Sequence, residues 1–416
     1  MATYTRVIKL IKDVFLGLYI LQLLNYIAPI IIIPVLIKQI GISSYGELIY
    51  ITAVYQIVSL FIDFGFTYTA PVVAAKIRND ASKLQEYYSL ISILKAIIYI
   101  LSILVLSGLI LCDLIQLNYY YYVSILLCCL GNVFTPLWLF QGMGNFKFLS
   151  VSQIKARMLL FVFLILYLFC GGKNLFIISV LQNGYLLICY LFMRKSLPSV
   201  RLKYLTISAS KIELKKAGNV FVGVLGTIGY GGLIPILIGN YCGHVSLGVY
   251  SIVQKITAAC QSLISPISQY MLSEVSQSSQ KNTFFKNKIK KSIYIHFLIS
   301  SAACVCYVIF GQFAAKVIGK IDVDFSIVLL ASVITIFSSL NNVLGIQFLI
   351  PTNNENLLRS VNLLSGVIVA LLSSYLIVNY NVLGGVMLNV LGEGLVFILL
   401  TVIAIKKWRE GVVNEN

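Results

Sequence analysis

Negative charge is what this sequence has least of. Only 14 of its 416 residues are Asp or Glu, two are His and two are Trp, and charged residues of both signs make up 11% of the chain. Soluble domains carry about a quarter charged residues. So few carboxylates, none of them paired at a spacing suited to general acid–base work, argue against hydrolytic or group-transfer chemistry. Two histidines and the absence of a CxxC pair leave no zinc-type ligand set. Most of the nine cysteines (Cys128, Cys129, Cys170, Cys189, Cys260, Cys304 and Cys306) fall inside apolar runs, where free cysteine acts as an apolar packing residue. The apolar run from Val14 to Ile37 is too long for a signal-peptide core and lacks a small-residue cleavage site, so it is expected to remain as a helix.

What remains is oil. Hydrophobic residues make up 59% of the chain and the mean hydropathy is +0.94, which predicts an all-α polytopic membrane protein. A crossing helix needs about 20 apolar residues. That ruler gives about twelve spans, near 14–37, 47–72, 88–111, 119–142, 156–171, 174–193, 217–240, 246–272, 292–314, 325–350, 359–379 and 382–405. With the N-terminus in the cytoplasm, 25 of the 31 lysines and arginines fall in cytoplasmic segments, four (Lys38, Lys173, Lys316, Lys320) opposite, and two (Lys95, Lys255) within spans. Basic residues mark cytoplasmic loops, so both termini are expected there. The formal net charge of +17 is mainly this orientation signal, and nucleic acid is not needed to explain it. The tyrosine run Tyr119–Tyr122 reads as an interfacial aromatic belt.

The chain repeats itself. PVLIKQIGISSYGELIY (Pro34 to Tyr50) parallels PILIGNYCGHVSLGVYS (Pro235 to Ser251), with Gly41 and Gly46 matching Gly243 and Gly248 at an offset of 202. A weaker echo pairs WLFQGMGN with GIQFLIPTNN, Gln141 opposite Gln347. The expected organisation is two six-helix bundles, 1–203 and 204–416, related as a parallel repeat, with the basic, serine-containing stretch from Arg194 to Lys216 between them. Proline removes a helix hydrogen bond, so the matched Pro34 and Pro235 are expected hinges; the plainer reading is that they only end or bend helices.

GISSYGELIYITAVYQIVSLFIDFGF, PLWLFQGMGNFKF with its basic helix start, and LGVYSIVQKI together resemble the bacterial flippases for O-antigen and other polysaccharide repeat units. These belong to one superfamily with the MATE multidrug transporters and the lipid II flippase. The resemblance covers nearly the whole chain and implies a MATE-like fold and no enzymatic activity. It implies passage of an undecaprenyl-pyrophosphate-linked oligosaccharide from the cytoplasmic to the periplasmic leaflet of the inner membrane, by alternating access through a cationic cavity. No cofactor is expected beyond a coupling proton or sodium ion. Expected partners are the lipid-linked cargo, inner-membrane lipids, and the pathway's polymerase and chain-length regulator.

A pyrophosphate entering low dielectric needs positive charge or many donors near it. Lys255 lies about eight residues into its span, roughly 13 Å deep at 1.5 Å per residue, and is the first candidate for the headgroup; snorkelling or ion pairing is the alternative. Lys95, nearer a span end, is a second candidate that snorkelling also explains. Lys147, Arg157 and Arg359 sit with Lys155 at cytoplasmic helix ends, as solvated anchors or as an entrance ring, with guanidinium the better fork for phosphate. Asp63 and Glu393 lie within spans and must face protein or water. Either could pair with a base or carry a coupling proton; Asp63, beside FGF and Thr67, Tyr68 and Thr69, reads as structural, and Glu393 as the coupling candidate. His296 reads as a hydrogen-bonded core residue. The competing functions are an organic-cation exporter of the same fold, which would favour an acidic cavity, and a membrane polymerase or glycosyltransferase of the same pathway, which would favour a sizeable outer loop.

Overall fold

The computed structural model describes residues 2–410 except 266, 269–270, 273–274, 276–281 and 353; side chains are described from residue 31, apart from 227–230, 282–284 and 410. Arg6, Lys9, Lys12 and Lys281 of the charge census therefore lie outside the described side chains. Among the described residues the chain is helical and has no strand. The helices are α1 (Ala2–Asp63), α2 (Phe66–Ile77), α3 (Ala81–Leu111), α4 (Tyr119–Phe134), α5 (Leu137–Gly142), α6 (Phe146–Phe169), α7 (Leu175–Asn183), α8 (Tyr185–Met193), α9 (Ile207–Gly231), α10 (Leu233–Ser262), α11 (Asn282–Gly319), α12 (Phe325–Asn341) and α13 (Glu355–Glu410). A π-helical segment, Asn342–Leu349, continues α12.

Local chemistry sets the ends. Asp80 caps α3 by accepting from the Ser82 and Lys83 amides, and Asn118, Asn145 and Asn174 cap α4, α6 and α7 in the same way. Such side chains satisfy amide donors that the first turn leaves without partners. Eight helices among the described residues are long and apolar enough to cross a membrane, nine when the pair α7–α8, bent by 48° at Gly184, is included. Two of the eight run 47 and 55 residues, at least twice what a bilayer requires. The first is broken at Gly41 (φ 79°, ψ 166°) and again at Phe64 and Gly65 (φ 46° and 84°), the second at Asn381 (φ 50°, ψ −126°). The break at Asn381 folds the chain back on itself and brings Gly384 so close to Leu376 that a Cβ on the glycine would run into the Leu376 carbonyl.

The repeat is written in the backbone. Gly243 interrupts α10 at φ 80°, ψ 172°, within a few degrees of Gly41 at the matched position. L-residues rarely adopt a φ near +80°, which is why glycine stands at both places. The second matched glycines meet the opposite repeat reciprocally. A Cβ on Gly46 would collide with the His244 carbonyl, and one on Gly248 would lie 2.8 Å from the Ile42 carbonyl. Residue 42 corresponds to 244 as 46 does to 248, so the two segments cross about a local pseudo-two-fold axis. Tyr45, 2% exposed, places its hydroxyl 3.2 Å from Ser251 Oγ beside the crossing.

The helices group into two compact units, residues 1–40 with 50–221, and residues 41–49 with 222–416. The division in the second half of the chain falls within α9, at Phe221, rather than at the 203/204 boundary expected from the basic linker. The short stretch Gly41–Ile49 joins the second unit because its glycine crossing partner lies there. In the first unit, Gly65 (φ 84°) follows Phe64 at the end of α1, and a Cβ there would lie 2.5 Å from the Ala217 carbonyl. Phe64 stacks on Phe221 with ring centroids 4.8 Å apart. The FGF element is thus a packing point against α9. In the second unit α9 and α13 pack through glycine, where a Cβ on Gly366 would strike the Gly226 carbonyl.

Helical dihedrals continue through both prolines expected as hinges. Pro34 lies inside α1, seven residues before the break at Gly41, and Pro235 is the third residue of α10, just after the turn at Gly232.

Candidate functional site

The polar residues of the spans sort by unit. In the first, α1, α3 and α4 bring three of them together. Lys95 is 3% exposed, and its Nζ lies 3.3 Å from Asp63 Oδ1 and donates to Asn132 Oδ1 at 3.0 Å. Asp63 also accepts from the Thr67 hydroxyl at 2.8 Å and the Thr67 amide at 3.2 Å. Asn132 donates onward to Ser59 Oγ and its carbonyl, at 2.7 and 2.8 Å. Lys95 therefore turns inward to a carboxylate instead of reaching for the interface, and Asp63 is held by a cation and a threonine. A buried pair of this kind is satisfied on both sides, which is the condition for tolerating charge in a dry interior.

Lys255, on α10, is treated differently. Its side chain is exposed, and among the described residues no carboxylate or hydrogen-bond acceptor binds it. The stripe of α10 that carries it reads Gly248, Ser251, Lys255, Ala259, Ser262, at helical steps of three and four residues. Apart from the lysine, nothing on it is larger than serine. A stripe facing acyl chains looks otherwise: on α3 the exposed side chains are Ile97, Ile100, Leu101, Leu104 and Val105. Gly248 and Ser251 at one end of the stripe are buried in protein, so the contrast with α3 lies at Lys255, Ala259 and Ser262.

Three further groups in the second unit are polar without being paired ions. Glu393 on α13 accepts from Asn341 Nδ2 at 2.6 Å, and the same amide donates to the Glu393 carbonyl at 2.9 Å. Asn341 Oδ1, buried beside it, has no hydrogen-bond partner among the described residues. His296 on α11 is fully buried. Its Nδ1 donates to the Ser292 carbonyl at 2.9 Å, which leaves Nε2 to accept from the Ser268 hydroxyl at 2.8 Å. Gln347, on the π-helical segment, accepts from Ser292 and donates to Asn342 and the Ser268 carbonyl. Ser268 and Asn342 also line a cavity of about 320 Å³, together with Gln261, Ser265 and Ser339. Its lining is neutral amide and hydroxyl over apolar side chains. π-helical turns are uncommon and often lie at functional positions.

The basic residues expected at an entrance are found as follows. Lys147 is exposed near the start of α6. Arg157, nearly three turns further on, is half-buried with its guanidinium 4.2 Å from the centre of the Tyr185 ring; its Nε has no hydrogen-bond partner among the described residues. Arg359, half-buried on α13, packs its aliphatic stem against Gly223 of α9, where a Cβ would lie 2.7 Å from Arg359 Cγ. Sequence reasoning missed Asn132 and Asn341, the amides that bind Lys95 and Glu393. Each is a strongly polar residue inside an apolar run (CCLGNVF, SSLNNVLG), and that was the available signal.

Comparison with known proteins gives this geometry its class. The fold matches an inward-facing MATE-family multidrug resistance transporter of the MOP superfamily with a TM-score of 0.71, at 11% identity over 93% of this chain and 94% of that one. It matches the lipid II flippase MurJ in an inward closed conformation with a TM-score of 0.72, at 11% identity over 94% of this chain and 89% of that one. The protein is a polytopic membrane protein with the fold of these MOP-superfamily structures. Within that class residues 10–273 match the family described as polysaccharide biosynthesis protein, and the chain belongs to it. A protein of Escherichia coli (strain K12) named as an O-antigen transporter is 24% identical over 371 residues, covering 85% of this chain and 87% of its own length.

Proposed function

We propose that the protein flips undecaprenyl-pyrophosphate-linked oligosaccharide repeat units from the cytoplasmic to the periplasmic leaflet of the inner membrane, for O-antigen or a related surface polysaccharide, by alternating access. The observation that carries this reading is Lys255, an open cation with no described partner, on a small and polar helix stripe within a span. An anionic headgroup leaving water needs such a charge. The family and the O-antigen relative support the cargo class. Arg157, with a free Nε, and Arg359 and Lys147 are the remaining candidates for phosphate along the route. Lys95 is a weaker one, since Asp63 already holds it.

The organic-cation reading asks for an open carboxylate. Asp63 is bound to Lys95, and Glu393 is engaged by Asn341. Glu393 with the free Asn341 Oδ1 suits a coupling ion better than a large organic cation, since hard cations take oxygen ligands. We assign proton or sodium coupling to this pair.

The test is Lys255→Ala against Lys255→Arg in cells. Expected is accumulation of repeat units on the cytoplasmic leaflet in the alanine variant, with normal protein level, and near-normal surface polysaccharide in the arginine variant. Normal polysaccharide in Lys255→Ala would remove the site.

A further inference from the structure

Two lysines crowd one tryptophan where α11 begins and α13 ends. Lys286 Nζ lies 5.6 Å and Lys290 Nζ 6.0 Å from the centre of the Trp408 ring, and Lys286 donates to the Trp408 carbonyl at 3.3 Å. Arg409 follows Trp408 and is exposed, as is Lys290. Lys286 and Lys290 are four residues apart on one helix, a spacing at which like charges repel. Among the described residues no carboxylate pairs with Lys290 or Arg409.

Beside this cluster opens a cavity of about 370 Å³. Lys290 and Arg409 stand on its rim, and its floor is oil: Ile293, Leu344, Phe348, Ile405 and the Trp408 face. Phe348 and Trp408 are stacked with centroids 6.0 Å apart, which keeps the indole against the floor. Tryptophan and basic residues side by side are the composition of a membrane–water interface. An apolar trough with a cationic lip has the shape and charge of an acyl chain leading to a phosphate.

We infer that this trough is a binding site for one anionic phospholipid of the surrounding bilayer. The headgroup phosphate bonds to Lys290 and Arg409, and an acyl chain lies along Ile293, Leu344 and Phe348. The anion offsets the repulsion within the cluster and holds the end of α13 against the start of α11. The site lies apart from Lys255 and is independent of which cargo the protein carries.

The full-length protein is reconstituted in nanodiscs of phosphatidylcholine alone or with phosphatidylglycerol, and lipid retained on the released protein is counted by native mass spectrometry. Phosphatidylglycerol is expected to be retained in preference, and Lys290→Ala/Arg409→Ala to weaken that retention about thirtyfold, the effect of two basic residues at a charged surface. Lys290→Arg should retain it. Equal retention of the two lipids by the wild-type protein overturns the inference and needs no variant. So does unchanged retention in the double variant. A third arm supplies undecaprenyl phosphate with phosphatidylglycerol; its preferential capture through Lys290 and Arg409 would give the trough to the cargo lipid and overturn the phospholipid assignment.

Discussion

The two units handle intramembrane charge in opposite ways. The first closes its charges on each other: Lys95, Asp63, Asn132, Thr67 and Ser59 form one chain of contacts with no partner missing. The second keeps its groups apart. Lys255 stands open, Glu393 rests on an amide, and His296 sits in a neutral network of serines and glutamine. A closed pair costs desolvation and gives back geometry, so it fixes helices. An open cation fixes nothing and stays available. Under the proposed function, the first cluster is scaffold and the second unit's groups handle the solute.

The sharpest way to break that contrast is to open the closed pair. Lys95→Ala strands the Asp63 carboxylate and is expected to destabilise the protein by about 3–5 kcal/mol, read by thermal or denaturant unfolding of purified protein. Replacing both partners, Asp63→Leu with Lys95→Met, should recover most of the loss and keep transport. If the double variant folds but no longer transports, the first cluster does more than scaffold.

The next effect concerns the element that the repeats share. Gly46→Ala pushes a methyl into the His244 carbonyl and is expected to cost about 1–3 kcal/mol by overpacking. Gly108→Ala, at a glycine whose Cβ would meet nothing within 4 Å, should be neutral by comparison. In the second unit His296→Ala leaves Gln347 and Ser268 short of a partner, at about 1–3 kcal/mol for the groups left unmade. The smallest stability change is expected at Lys255. Its alanine variant should unfold within about 0.5 kcal/mol of wild type, as exposed positions do.

Much of this was legible in advance, for physical reasons that differ by residue. Apolar runs are long because the bilayer is thick, so the helical membrane class followed from composition. Gly41 and Gly243 stood out by spacing, and their matched dihedrals explain why glycine was kept at both. Helical dihedrals run through Pro34 and Pro235, and the backbone breaks lie at the glycines. A proline near a helix start or at a tolerated bend leaves the backbone helical, whereas a positive φ cannot be absorbed. The linker boundary was read from charge; the two units divide within α9, where packing of Ala217 and Phe221 on the FGF element ties the helix's first half to the first unit. Asp63 was placed correctly beside Thr67, yet its pairing with Lys95, 32 residues away, is a tertiary fact that spacing cannot encode. The π-helical segment carries no sequence period of its own and was read as ordinary helix.

One measurement bears most directly on the open-cation claim. Purified protein is reconstituted into vesicles with a fluorescent undecaprenyl-pyrophosphate-linked oligosaccharide, and leaflet exchange is timed for the wild type, Lys255→Ala, and Asp63→Leu/Lys95→Met. Exchange should be lost in the first variant, with its unfolding midpoint unchanged, and retained in the second. Wild-type exchange in Lys255→Ala would contradict the account.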